Sequence, residues 1–197
     1  MREEIKRKMK DTAEYIFYNP ELSLQEYKSS RRLAEFLESE GFKIRWGIAG
    51  FETAFVAEWS SRRRGNEPGE NAQAENGPVE STEPVEPVIG FLAEYDALPG
   101  LGQECVSRQK QDGGPGHGCG HNLLGTACAG AACDLKDRMQ AENLPGTIRV
   151  YGCPAEEIVV GKIRMNEQGV FDDLSVAVTW HPFDRNRVSY DIWQAQD

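Results

Sequence analysis

Residues 122–157, NLLGTACAGAACDLKDRMQAENLPGTIRVYGCPAEE, contain one unit of a layered α/β fold. Residues 122–142 are rich in alanine and glycine, which predicts a helix that can pack closely against a sheet. The apolar run at 147–152 predicts a buried strand. Two adjacent carboxylates, Glu156 and Glu157, follow that strand almost directly.

Helical and extended patterns alternate on both sides of this unit. Apolar residues at helical spacing predict a first helix that contains Ile5 to Phe17 and ends before Asn19-Pro20. The remaining predicted elements are helices at 29–40 and 161–168 and strands at 42–46, 53–59, 88–93 and 175–180. This alternation indicates a layered α/β domain, in which active groups cluster at the carboxyl ends of strands.

Residues 61–87 differ from the rest of the chain in composition. They hold four prolines, six glutamates and no aromatic residue, so they cannot bury enough apolar area to offset their ordering entropy. We predict a disordered low-complexity insertion within a single domain that covers residues 1–197. Because its ends are both strand-like, we expect it to enlarge a surface hairpin connection.

Composition excludes several classes of function. The formal charge is −10 at pH 7, and the one tight basic cluster, Arg62 to Arg64, lies in the insertion, which argues against a nucleic-acid partner. Neither a membrane-spanning apolar run nor a signal-peptide pattern is present. Five cysteines without a CxxC pair fit a reducing compartment. We therefore expect a cytoplasmic protein with no membrane partner.

The segment His117-Gly-Cys119-Gly-His121 places three possible metal ligands within five residues. Alternate residues of an extended loop point the same way, so the three side chains could converge, and the glycines let the backbone approach an ion. A glycine-rich turn with incidental polar residues is the alternative. A thiol-based redox role for Cys119 is a further alternative, although no resolving cysteine lies nearby in sequence.

Two other strand ends carry polar side chains. Glu156 and Glu157 would repel each other if both were buried, unless one binds a cation while the other handles a proton. When the two glutamates are considered alone, a solvated pair is the favoured explanation. His181-Pro182 follows the strand at 175–180 and supplies an imidazole that we expect at the same edge of the sheet.

Several motifs occur in the order found in one enzyme family. They are Asn19-Pro-Glu-Leu-Ser23, Asp96-Ala-Leu-Pro99, Gly116-His-Gly-Cys-Gly-His-Asn-Leu-Leu-Gly125, Tyr151-Gly-Cys-Pro-Ala-Glu-Glu157, Gly169-Val-Phe-Asp-Asp173 and Trp180-His-Pro182. Together they resemble the dinuclear metallopeptidase family of aminoacylases and carboxypeptidase G, and most closely its p-aminobenzoyl-glutamate hydrolase and Xaa-Arg dipeptidase branch. The resemblance implies a three-layer α/β/α sandwich and hydrolysis of an amide bond in a small acyl-amino acid or dipeptide.

The resemblance also implies a site with two divalent ions. Cys119 would bridge the two ions, His121 and His181 would bind one of them, and Glu157 would bind the other. Glu156 would be the general base. Zinc is the first choice for a thiolate with imidazoles, while manganese and cobalt stay open.

Further residues would support these ligands. The resemblance suggests that Asp96 and His117 lie behind the ligands and orient them, although Asp96 could equally be a turn or cap residue. The chain departs from the family at Ile158-Val-Val160, where close relatives often carry glycines. It also departs at Glu94, where many members have a ligand histidine or an aspartate.

Full-length family members continue into a lid domain that grips the substrate carboxylate and forms homodimers, and then supply a last ligand histidine. The 197 residues lack that part, so we expect an incomplete catalytic domain that has no meaningful turnover by itself. An inactive metal-binding remnant, or one half of a split protein, is the competing hypothesis.

Overall fold

The computed structural model describes residues 1–61, 84–108 and 113–184. Its elements are α1 (Glu3–Tyr18), α2 (Tyr27–Ser39), β1 (Lys43–Trp46), β2 (Phe55–Ser61), β3 (Val88–Ala93), α3 (His121–Glu142), β4 (Gly146–Gly152), α4 (Gly161–Glu167) and β5 (Val176–Val178). A 3-10 turn at Ile48–Gly50 lies between β1 and β2. The predicted helices and strands are confirmed, with bounds that differ by about two residues or fewer.

The strands form one mixed sheet in the order β1-β2-β4-β3-β5. Strand β3 runs parallel to both β4 and β5, whereas β2 is antiparallel to its neighbours β1 and β4. The carboxyl ends of β3, β4 and β5 therefore lie at one edge of the sheet. The segments that follow these strands carry the polar side chains noted in the sequence.

The connection between β2 and β3 corrects one sequence-based prediction. We expected the 61–87 segment to enlarge a hairpin, but β2 and β3 do not pair, because β4 lies between them and bonds to both. Ser61 pairs with Gly146 and Val88 with Thr147, so the described ends of the connection lie on opposite sides of β4. Residues 62–83, which hold most of the predicted insertion, lie outside the described residues.

Two apolar clusters cover the two faces of the sheet, which confirms the three-layer arrangement. Helices α2 and α3 pack on one face, where Phe55, Ala57 and Val150 point inward, and α1 packs against these two helices. Val56, which lies between Phe55 and Ala57, and Tyr151, which follows Val150, point to the other face. There they meet a second cluster that includes Ala49, Phe51, Met165 and, more peripherally, Phe171. The alternation follows from the two-residue period of a strand.

Helix α3 is the central helix of the first face, and its small residues set its distance from the sheet. A Cβ at Gly125 would overlap the main-chain carbonyl oxygen of Glu94, just after β3, whereas a Cβ at Gly130 would meet only the Met9 side chain. Gly125 thus lets the first turn of α3 approach the carboxyl end of β3. No helix in the described ranges has the length and apolar character needed to cross a bilayer.

We predict that Gly125→Ala lowers the free energy of unfolding by about 1–3 kcal/mol, because main chain must move to admit the methyl group. Gly130→Ala is the matched control on the same helix. The flexible Met9 side chain can move aside there, and the gain in helix propensity is about 1 kcal/mol. Denaturant unfolding of both variants measures the difference, and equal losses would contradict this account of α3 packing.

Candidate metal centre

The glycine-rich loop before α3 is held against the segment that follows β3. Leu98 and Gly116 exchange two main-chain hydrogen bonds of 2.9 and 3.0 Å. Gly120 adopts a left-handed conformation with φ of 81°, and His121 then begins α3. This turn brings the Cys119 and His121 side chains to the edge of the sheet where β3 ends.

Three of the predicted metal ligands converge at this edge. The donor atoms of Cys119, His121 and His181 all lie within 4.8 Å of one another. Cys119 Sγ is 3.1 Å from His181 Nε2, and the two imidazole rings lie 6.0 Å apart at an angle of 84°. The loop, α3 and the segment after β5 each contribute one donor.

The His121 ring is fully buried, and a hydrogen bond to Asp96 fixes its orientation. Its Nδ1 donates a hydrogen bond of 2.9 Å to Asp96 Oδ1. The opposite nitrogen, Nε2, is buried and has no hydrogen-bond partner among the described residues. Glu94 Oε2 lies 3.2 Å away but outside hydrogen-bond geometry. A buried nitrogen without a partner is costly, and a cation bound to its lone pair would remove that cost.

Carboxylates complete the polar surroundings. Glu94 and Glu156 each place an oxygen within 4.8 Å of a His121 nitrogen. Glu157 Oε1 lies 3.8 Å from His121 Nδ1 and is a second buried atom that finds no hydrogen-bond partner in the described part of the chain. Soft sulfur, imidazole and carboxylate donors together suit a divalent transition-metal ion. The residues present therefore fit a metal centre.

Burial and the neighbouring carboxylates shift the protonation equilibria of the candidate ligands. Burial, and then the nearby Glu157 and Glu156 carboxylates, raise the pKa of Cys119 to about 11. Burial also raises the pKa of Glu157, with Asp96 and Glu156 adding to the effect. A metal that binds the Cys119 thiolate must therefore displace a proton.

His117 does not join either group of converging donors. Burial lowers its pKa to about 4, and neither ring nitrogen has a hydrogen-bond partner within the described ranges. Its main-chain N–H donates to Gln103 Oε1 at 2.6 Å. Its predicted role behind the ligands stays a prediction.

Lys162 is a site residue that sequence reasoning missed. Its ammonium bonds to Glu94 and lies 3.9 Å from Glu156 Oε1. Glu94, whose role the sequence left open, thus forms an ion pair beside His121. A signal was present, because a lysine in the first turn of a helix opposes the helix dipole unless an acidic group compensates it.

No family model matches the chain, but curated proteins and solved structures do. The chain is 39% identical over 175 residues to a subunit of the p-aminobenzoyl-glutamate hydrolase of Escherichia coli (strain K12), and the match covers 87% of this chain and 32% of that protein. It is 37% identical over 179 residues to the Xaa-Arg dipeptidase of Homo sapiens, and that match covers 87% of this chain and 34% of the human protein.

A solved structure extends the comparison to the fold. The chain superposes on YxeP of Bacillus subtilis, a dinuclear metal-binding peptidase of the M20 family, with a TM-score of 0.66 and 26% identity, covering 90% of this chain and 43% of that one. The chain is therefore similar in sequence and fold to a metallopeptidase of the M20 family. This confirms the resemblance inferred from the motifs. The chain spans about a third of the length of the curated relatives that it matches.

The loop after β4 contains one of the two departures from the expected family pattern, the segment Ile158-Val-Val160. Val159 adopts a left-handed conformation with φ of 56°, which is a strained state for a β-branched residue. Its main-chain N–H donates a hydrogen bond of 2.7 Å to the main-chain carbonyl oxygen of Glu156, and this bond closes a turn that begins at Glu156. The glycines expected here would adopt this conformation without strain.

Val159→Gly should raise the free energy of unfolding by about 1 kcal/mol, since glycine adopts the left-handed conformation without the strain that the valine side chain causes. Ile158→Gly is the matched control, because Ile158 lies in the same turn and does not have a positive φ, and it should lose about 0.5–1 kcal/mol. Denaturant midpoints of the two variants provide the test. A loss in Val159→Gly as large as that in Ile158→Gly would show that the turn is not strained.

Proposed function

We propose that the chain carries the metal-binding part of an amidohydrolase. The substrate would be a small acyl-amino acid, a p-aminobenzoyl-glutamate-like compound or a dipeptide. The convergence of Cys119, His121 and His181 on the free Nε2 face of His121 carries the proposal. The activities of the E. coli and human relatives support the substrate class.

In this proposal, Cys119, His121 and His181 hold one divalent ion. Cys119 and Glu157 contribute to the second ion, as the dinuclear centre of the YxeP neighbour suggests. Zinc is our first choice, with manganese or cobalt as alternatives. When bound, such a pair supplies an activated water at neutral pH and polarises the substrate carbonyl.

Glu156 is the proposed general base. Its Oε2 lies 3.7 Å from His121 Nε2, and about a third of its side chain, 34%, is exposed. The carboxylate thus reaches both the ligand cluster and the space where substrate would enter. In that position it can accept a proton from water and pass it to the departing nitrogen.

The cellular setting belongs to the same proposal. We place the protein in the cytoplasm, because five cysteines without a CxxC pair suit a reducing compartment. Its partner would be the small-molecule substrate. Homodimerisation would use a domain of full-length relatives that lies outside the matched third.

Cys119→Ala should abolish stoichiometric zinc binding, because it removes the donor shared by both ions. Metal analysis of the purified chain after zinc loading and gel filtration measures this. Cys105→Ala is the control, since Cys105 is an exposed thiol away from the cluster, and it should keep the wild-type zinc content. Equal, substoichiometric zinc in the wild type and in Cys119→Ala would contradict the proposed centre.

Glu156→Gln should keep its zinc and lose about 100-fold or more in kcat, because the neutral amide cannot accept the proton. The assay uses p-aminobenzoyl-glutamate and a chain completed by the C-terminal part of a relative. Glu167→Gln, an exposed change on α4, should remain active. Near-normal turnover in Glu156→Gln would assign the base to another residue.

A further inference from the structure

Glu26 is a fully buried carboxylate that the proposed chemistry does not use. It lies at the start of α2, and its Oε1 accepts hydrogen bonds from the main-chain N–H groups of Leu24, at 2.9 Å, and Ala155, at 2.8 Å. Its Oε2 accepts one from Thr53 Oγ1 at 3.1 Å. One side chain thus joins the loop before α2 to the loop after β4.

Both main-chain donors to Oε1 have an uncommon conformation. Leu24 has a φ of 67° and Ala155 a φ of 56°, and neither residue is glycine. Such residues persist only where their surroundings hold them. The hydrogen bonds to Glu26 are a direct means of holding them, because each can form only when the N–H points into the buried pocket.

The Ala155 contact bears on the two residues that follow it. The N–H of Glu157, two positions later, donates a hydrogen bond of 2.9 Å to Asp96 Oδ2. The main chain on both sides of Glu156 is therefore fixed by a buried carboxylate, Glu26 before it and Asp96 after it. The conformation of Ala155 sets the direction in which the chain leaves β4 and presents Glu156 and Glu157 to the cluster.

We propose that Glu26 is a positioning residue that orients Glu156 and Glu157 through the main-chain N–H of Ala155. The proposal rests on the function proposed above for those two glutamates. Glu26 itself contacts neither His121 nor Cys119 through a hydrogen bond in the described structure, so it acts through the loop.

The hydrogen bonds, and not the charge of Glu26, carry this role. Burial raises the pKa of Glu26, as expected for a carboxylate removed from water. A glutamine would keep Oε1 as the acceptor for Leu24 and Ala155 and would turn its NH₂ group toward Thr53 Oγ1, which can accept. Glu26→Gln should therefore preserve the loop, whereas Glu26→Ala should release it.

Glu21→Ala provides a matched control for loss of a carboxylate in the same segment. Glu21 accepts hydrogen bonds from the N–H groups of Lys28, at 2.9 Å, and Ser29, at 2.8 Å, and so stabilises the start of α2. These bonds lie within the segment that leads into α2 and do not involve the loop after β4. If Glu26→Ala acted only by destabilising the start of α2, it should therefore give the same results as Glu21→Ala.

The experiment compares the 197-residue wild type with Glu26→Ala, Glu26→Gln and Glu21→Ala by two readouts. The first is hydrogen exchange of the Ala155 amide in the metal-free chain, measured by NMR. The second is a calorimetric zinc titration that separates the ion with three proposed ligands from the second ion, which has only Cys119 and Glu157 among its proposed ligands and should therefore bind more weakly. We expect Glu26→Ala to accelerate Ala155 exchange and to weaken the second zinc by about 10–100-fold, the usual effect of losing a residue that orients a ligand.

Glu26→Gln and Glu21→Ala should match the wild type in both readouts. An unchanged exchange rate of the Ala155 amide in Glu26→Ala would overturn the proposal. An equal loss of affinity for the second zinc ion in Glu21→Ala would also overturn it. Loss of the second zinc in Glu26→Gln as well would show that the hydrogen bonds are not what matters. If neither the wild type nor any variant binds zinc, the proposed function fails. The exchange rate of the Ala155 amide alone then decides whether Glu26 holds the loop.

Discussion

The buried carboxylate of Asp96 holds the candidate centre together. It accepts hydrogen bonds from His121 Nδ1, from the main-chain N–H of Glu157 and from the Ser23 hydroxyl. Burial by itself would raise the pKa of Asp96, but these three donors outweigh it, and the net pKa is lowered. Segments following β3 and β4, the first turn of α3 and the loop before α2 thus meet at one anionic group.

That arrangement leaves an excess of negative charge around His121. The Glu94 carboxylate is paired with Lys162, whereas Glu157 retains an oxygen that has no hydrogen-bond partner in the described structure. Burying such groups without a counter-charge is unfavourable. A divalent ion held by Cys119 and the imidazoles, as we propose, would compensate this charge.

Local patterns predicted the helices and strands because each depends on residues that are close in sequence. The expected hairpin between β2 and β3 was wrong, since the insertion of β4 between them depends on pairing between distant segments. The same limit applies to the site. Cys119 and His121 share one short motif and could be found, whereas the Glu26 contact with Ala155 joins residues 129 positions apart. Neither end of that contact carries a sequence pattern that points to the other.

We propose that Cys119, His121 and His181 together bind a metal ion at the carboxyl ends of the strands. X-ray absorption spectroscopy of the chain loaded with one equivalent of zinc reports these ligands. We expect a sulfur shell at about 2.3 Å and imidazole nitrogen at about 2.0–2.1 Å from the metal. A spectrum fitted by oxygen and nitrogen alone, without sulfur, would contradict it.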